Sequence, residues 1–174
     1  MHMTHNKQFR IASVSLSANG FGCAIMEGNT LIEYRNKMFL ADKNANSLTH
    51  IDKFIIHYRP DVLVLNDVNA RGTYRAPRIK DLHLAVIKLA KRIKLKTVKI
   101  SNTELRTALL NDPKGTKHDM AEHLAKQFPN ELAARVPPKR KPWKSEANRM
   151  DIFDAVGLAV VFQITKDNVL TTSS

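Results

Sequence analysis

Two carboxylates, Asp151 and Asp154, interrupt a stretch in which nearly every residue is apolar or small, Met150–Ile164 (MDIFDAVGLAVVFQI). Such a stretch reads as a helix buried around most of its circumference. The two acids stand at i and i+3, hence on one face, and the next residue along that stripe, Leu158, is apolar again. Only the first turns of this face therefore open onto water or a cation. Carboxylates entering a core helix are costly unless they are solvated, paired or metal-bound. Two readings stay open: a solvated helix start, where negative charge suits the positive end of the helix dipole, and a cation site.

The elements that must position this helix can be read from periodicity. Arg10–Ser17 (RIASVSLS) alternates apolar and small polar residues and predicts a strand; Phe21–Glu27 and Thr30–Lys37 predict two more. Joined by the short turns Ala18-Asn19-Gly20 and Gly28-Asn29, the three must form an antiparallel meander. A helical period follows from about Asn46 to Tyr58. Asp61–Leu65 is a short apolar run, as expected of a strand buried on both faces. A polar loop, Asn69–Arg75, leads to a helix over Pro77–Ile93, with proline in its first turn. Lys96–Ile100 predicts a fifth strand, and Thr103–Leu110 and Lys117–Gln127 two helices, the second opened by a capping-box-like Thr116/Asp119 pair. Arg135–Trp143, with three prolines in nine residues, is irregular. The last helix is expected from Ser145 to about Thr165. The fold class is α/β: a mixed five-stranded sheet, antiparallel at one side and parallel at the other, with helices on its faces. The expected organisation is a disordered segment 1–9, one domain over 10–165 and a tail over 166–174.

Three segments carry a family resemblance. Ser15-Leu16-Ser17-Ala18-Asn19-Gly20-Phe21-Gly22-Cys23-Ala24, Asp61-Val62-Leu63-Val64-Leu65-Asn66-Asp67 and Asp151-Ile152-Phe153-Asp154-Ala155 are similar, in this order, to the motifs of the RuvC-like (Holliday-junction resolvase-like) branch of the ribonuclease H-like superfamily. The resemblance implies a ribonuclease H-like domain and nucleases that cut nucleic-acid phosphodiesters with acidic residues and Mg2+ or Mn2+. Two divalent ions a few ångströms apart activate water and stabilise the leaving oxygen, and such hard ions favour anionic oxygen ligands. It also implies an acid on the first strand, one at the end of the fourth and two on the last helix. This chain has Ser15 and Asn66 at the first two positions and keeps Asp151 and Asp154. Asp67 is adjacent to Asn66, but successive strand residues face opposite sides, so only a twist or bulge would bring it to the same site.

The chain of 174 residues carries a formal charge of +12. The charge is local. Arg71–Lys99 holds ten basic residues against one acid, and Arg135–Arg149 six against one, net +9 and +5, leaving −2 elsewhere. One segment follows the strand ending at Asn66; the other leads into the helix of Asp151 and Asp154. Cations beside a carboxylate cluster match what a phosphate backbone requires. Candidate nucleic-acid contacts are Arg71, Tyr74, Arg75, Arg78, Lys139, Arg140, Lys141, Trp143 and Lys144. Trp143 and Tyr74 each allow two readings, a base-stacking surface or a packing anchor. His118 and His123, five apart, do not share a helix face and read as surface residues.

A hydrophobic fraction of 43% excludes a wholly disordered chain, and the lone Cys23 excludes an internal disulfide framework. The polar start, Met1–Arg10, reads as no secretory signal, and no run is long enough for a membrane span, so the chain is expected in the cytoplasm. Three functions follow. The leading one is a RuvC-like nucleic-acid-binding protein with a degraded or atypical metal-nuclease site, binding DNA in preference to RNA, with branched DNA a candidate and a homodimer implied by the resemblance. The second is an active structure-selective endonuclease with catalytic residues Ser15, Asn66, Asp151 and Asp154, in which Asp67, Asp151 and Asp154 hold Mg2+ or Mn2+ and the neutral Ser15 and Asn66 complete the shell. The third is a protein-interaction scaffold whose basic faces meet an acidic partner.

Overall fold

The computed structural model describes residues 7–172. Its order is β1 (Arg10–Leu16), β2 (Gly20–Glu27), β3 (Thr30–Met38), α1 (Lys43–Tyr58), β4 (Val62–Asn66), α2 (Pro77–Arg92), β5 (Lys96–Ile100), α3 (Asn102–Leu110), α4 (Lys117–Gln127), α5 (Pro129–Leu132) and α6 (Met150–Thr172). The strands form one sheet in the order β3-β2-β1-β4-β5. The first three are antiparallel; β4 is parallel to β1, and β5 to β4.

Strand alternation divides the interior into two cores. Ile11 of β1, Ala24 and Met26 of β2, and Val62 and Val64 of β4 face α6, α4 and α3. The intervening Ala12, Val14, Cys23, Ile25, Leu63 and Leu65 face α1 and α2. The same two-residue period explains the serines of β1: Ser13 and Ser15 share the α6 side with Ile11. The Ser13 hydroxyl donates to the Ala155 carbonyl at 2.6 Å and so ties α6 to the centre of the sheet.

Two helix ends differ from the periodicity reading. α6 begins at Met150 rather than Ser145, because Glu146 is drawn to Arg140 (3.3 Å) and the chain enters the helix through tight turns in which the N–H groups of Met150, Asp151 and Ile152 donate to the carbonyls three residues earlier. It continues past Thr165 to Thr172, helped by an i,i+4 bond from the Gln163 amide to Asp167 (2.9 Å). Within the segment expected to be disordered, Phe9 stacks on Phe162 at 6.5 Å, with the Lys166 ammonium 3.6 Å from its ring centre; residues 1–6 and 173–174 lie outside the described residues. No helix among the described residues is long and apolar enough to cross a membrane.

Candidate functional site

The first turn of α6 lies directly on β2. A Cβ placed on Gly22 would stand 1.9 Å from the Asp151 carbonyl oxygen, so only glycine permits this approach. Gly22 is paired with Ser15 across the β1–β2 ladder, and Asn66 follows on the neighbouring parallel strand. Packing thus gathers Ser15, Asn66, Asp151 and Asp154 at one end of the sheet, where β1 and β4 terminate; all four are buried.

Their polar atoms are engaged with one another and with nearby residues. The Ser15 hydroxyl donates to Asn66 Oδ1 at 2.7 Å, and the Asn66 amide donates to Asn102 Oδ1 at 3.3 Å. Lys117 Nζ lies 2.9 Å from Asp154 Oδ2. Lys117 opens α4 behind Thr116, whose hydroxyl and the Asp119 carboxylate form the expected capping box. The Asp151 carboxyl is pushed up to about 6, chiefly by burial; a hydrogen bond from the Ser17 side chain opposes this, Asp154 raises it further, and the Lys117 and Arg75 charges lower it.

Asp67 directly follows β4. Its carboxylate accepts the Asn69 N–H at 3.1 Å. On the α2 side, burial lowers the pKa of His83, the Lys99 charge lowers it further and the Asp67 charge opposes both. β4 ends at Asn66, and the Asp67 N–H donates to the Ile100 carbonyl at 2.9 Å. Among the described residues, no three His, Cys, Asp or Glu side chains are grouped so as to hold a metal. A two-ion site needs several anionic oxygens shared between the ions. Two carboxylates, one of them on an ammonium, beside a serine and an asparagine bonded to each other, do not fit that requirement.

No protein-family model matches the chain, and no curated protein matches it in sequence. Solved structures match it in architecture. RuvC of Thermus thermophilus aligns with a TM-score of 0.67 at 11% identity, over 92% of this chain and 97% of that one. The same organism's RuvC in complex with a Holliday junction substrate gives 0.61 at 12%, over 88% and 91%. Fowlpox virus resolvase in complex with its substrate Holliday junction DNA gives 0.57 at 14%, over 90% and 98%. The fold is ribonuclease H-like.

In this ribonuclease H-like frame the two basic segments are placed differently from one another. Residues 138–149 are exposed throughout, with Trp143 at 76% exposure and Lys141 Nζ 5.6 Å from the centre of its ring. The packing-anchor reading of Trp143 is therefore corrected, and that of Tyr74 likewise, at 89% exposure. Lys139, Lys141 and Lys144 are exposed, as is Arg71. Arg140 organises its own loop, donating to the Lys144 carbonyl at 2.6 Å and pairing with Glu146. Arg75 is half-buried and its charge acts on Asp151. Arg78 braces the β1–β2 turn: its guanidinium donates to the carbonyls of Ser17 (3.2 Å) and Ala18 (2.7 Å) and to Asn44 Oδ1 (2.6 Å). Sequence reasoning missed Lys117, Ser17 and Asn102. The one signal for Lys117 was the need of two buried acids for a counter-charge, and that need names no position.

Proposed function

We infer that this chain is a RuvC-like nucleic-acid-binding protein of the cytoplasm whose carboxylate site is degraded or atypical as a metal nuclease, and that its partner is DNA, branched DNA above linear. The observation that carries this reading is the closure of the site on itself: Ser15 on Asn66 and Lys117 on Asp154, where metal-assisted hydrolysis requires free anionic oxygens. A DNA partner is supported by the Holliday junction DNA held by RuvC and by Fowlpox virus resolvase in the matching structures. It is supported also by the exposed Lys139, Lys141 and Lys144, with Arg71 on the other basic loop. Cations of this kind displace condensed counterions from the phosphate backbone, and an exposed aromatic among them offers a face to an unpaired base. Pairing of two copies on a two-fold junction belongs to the same proposal.

The test is a cleavage and binding assay on four-way, forked and linear DNA with Mg2+ or Mn2+. Binding that weakens steeply with salt and depends little on sequence is expected, with no metal-dependent cutting. Robust cutting that Asp151→Asn or Asp154→Asn abolishes overturns the degraded-site reading; salt-insensitive binding, or none to any of the substrates, overturns the DNA reading.

A further inference from the structure

Across the sheet from Asp151 and Asp154 is a cleft of about 440 Å³ between the β2–β3 hairpin and α1. The pleat of β2 separates the two places: Gly22 touches Asp151, and Cys23, the next residue, belongs to the opposite core and forms part of the cleft floor with Phe21 and Phe54.

Two periodicities build its walls. Arg35 and Lys37 are i and i+2 on β3 and so share a face; His50, Lys53 and His57 are i, i+3 and i+7 on α1 and so share one too. The strand stripe and the helix stripe line the same cleft. Among the described residues, neither Arg35, Lys37 nor Lys53 has a carboxylate within ion-pair distance. Glu33, one same-face step along β3, is engaged: it accepts the Tyr58 hydroxyl at 2.8 Å and the Tyr34 N–H at 3.0 Å. Arg35 is held over the Phe54 ring at 5.7 Å, and His50 Nδ1 donates to the Asn46 carbonyl at 2.9 Å, which fixes that ring in the wall.

Converging cations without a counter-charge repel one another, and an anion placed between them relieves the repulsion. The imidazole rings of His50 and His57 in the cleft lining complement a flat ring, and a guanidinium face stacks on one. The volume falls within the range of about 300–1,000 Å³ found for small-molecule sites. We propose that this cleft is a second binding site, for a nucleotide. Arg35, Lys37 and Lys53 hold its phosphate, and its base lies against the wall of His50 and His57. The site is separate from the carboxylate end and does not rest on the DNA reading given above. The same chemistry is offered by a free mononucleotide and by the phosphorylated 5′ end of a strand.

The experiment is a titration of the full chain with fluorescently labelled AMP, with adenosine as the phosphate-free control and competition by trinucleotides with and without a 5′ phosphate. Saturable binding of AMP but not adenosine is expected. Lys37→Gln and Lys53→Gln, both at exposed positions, should each weaken it about tenfold, the loss of one charged hydrogen bond, and Arg35→Gln at least as much. Competition by the phosphorylated trinucleotide alone assigns the ligand to a strand end; no competition by either assigns it to a free nucleotide; both outcomes uphold the site. Absence of saturable AMP binding, equal binding of adenosine, or binding unchanged in both lysine variants overturns it. Circular dichroism of each variant separates lost binding from lost folding.

Discussion

The carboxylate end of the sheet and the exposed loop before α6 lie close in sequence and are built on opposite plans. At the first, polar groups meet inside the protein: Ser15 with Asn66, Asn66 with Asn102, Asp154 with Lys117. In the second, residues 138–149 stand in solvent, and Lys139, Lys141, Trp143 and Lys144 present charge and aromatic surface outward. The difference teaches that this molecule sets its exposed cations and its buried carboxylates in separate places. On the proposed reading, DNA is held by exposed cations that need no fixed geometry. Metal-assisted cutting needs carboxylates free to share ions, and here Asp154 is paired with Lys117.

The largest test of this contrast is on the loop. Replacing Lys139, Lys141 and Lys144 by glutamine together should lower DNA affinity about 100-fold in moderate salt and reduce the slope of log K against log salt by about three. Fluorescence anisotropy at several salt concentrations reads both, and an unchanged slope would move the interface off this loop. Next comes Asp151. Its ordinary value of 3.8 rises to about 6 in the folded chain. As pH rises from about 4 to 6, the unfolded chain releases this proton while the folded chain keeps it, so stability falls across that window, by about 3 kcal/mol, and stays lost above it. Asp151→Asn should remove that loss: in urea titrations it is more stable than the parent by about 2–3 kcal/mol at pH 7.5, and equal to it near pH 3.

Lys117→Met strips the counter-charge from Asp154 and should cost about 2 kcal/mol, less than for a fully buried pair because the lysine side chain is 28% exposed. Adding Asp154→Asn should recover most of that loss, and the double-mutant cycle isolates the pair. The smallest effect belongs to Trp143→Ala: about 1 kcal/mol weaker binding of DNA containing unpaired bases, with folding stability unchanged. A stability loss instead would mean that the ring packs against the body of the protein.

Much of the scaffold could be read in advance because it rests on local periodicity. The alternation of RIASVSLS put Ser13 and Ser15 on one face of β1, and the Thr116/Asp119 pair marked the start of α4. The gathering of Ser15, Asn66, Asp151 and Asp154 followed from motif order. What escaped depends on distance in the chain. Lys117 and Asp154 are 37 positions apart, and Arg78 reaches back 60 to the Ala18 carbonyl, so neither partnership leaves a local trace. The cationic cleft escaped for another reason. Its charges are diluted along β3 and α1 among residues that sum to −2 with the rest of the body, and only folding brings the two stripes into one cavity.

The Ser15–Asn66 hydrogen bond bears on how such a site can change over generations. The two side chains bridge the parallel seam between β1 and β4, next to a glycine on which Asp151 rests. An acid introduced at Ser15 alone would give up the bond to Asn66 and add a third negative charge beside two buried ones that share one lysine. An acid at Asn66 alone would keep the Ser15 hydroxyl as a donor but lose the amide donated to Asn102 Oδ1 and set a new negative charge against that oxygen. Each step adds a buried negative charge beside Asp151 and Asp154, which are both buried. The residues at this end of the sheet are therefore energetically coupled, and substitutions at Ser15, Asn66 and Lys117 should combine non-additively.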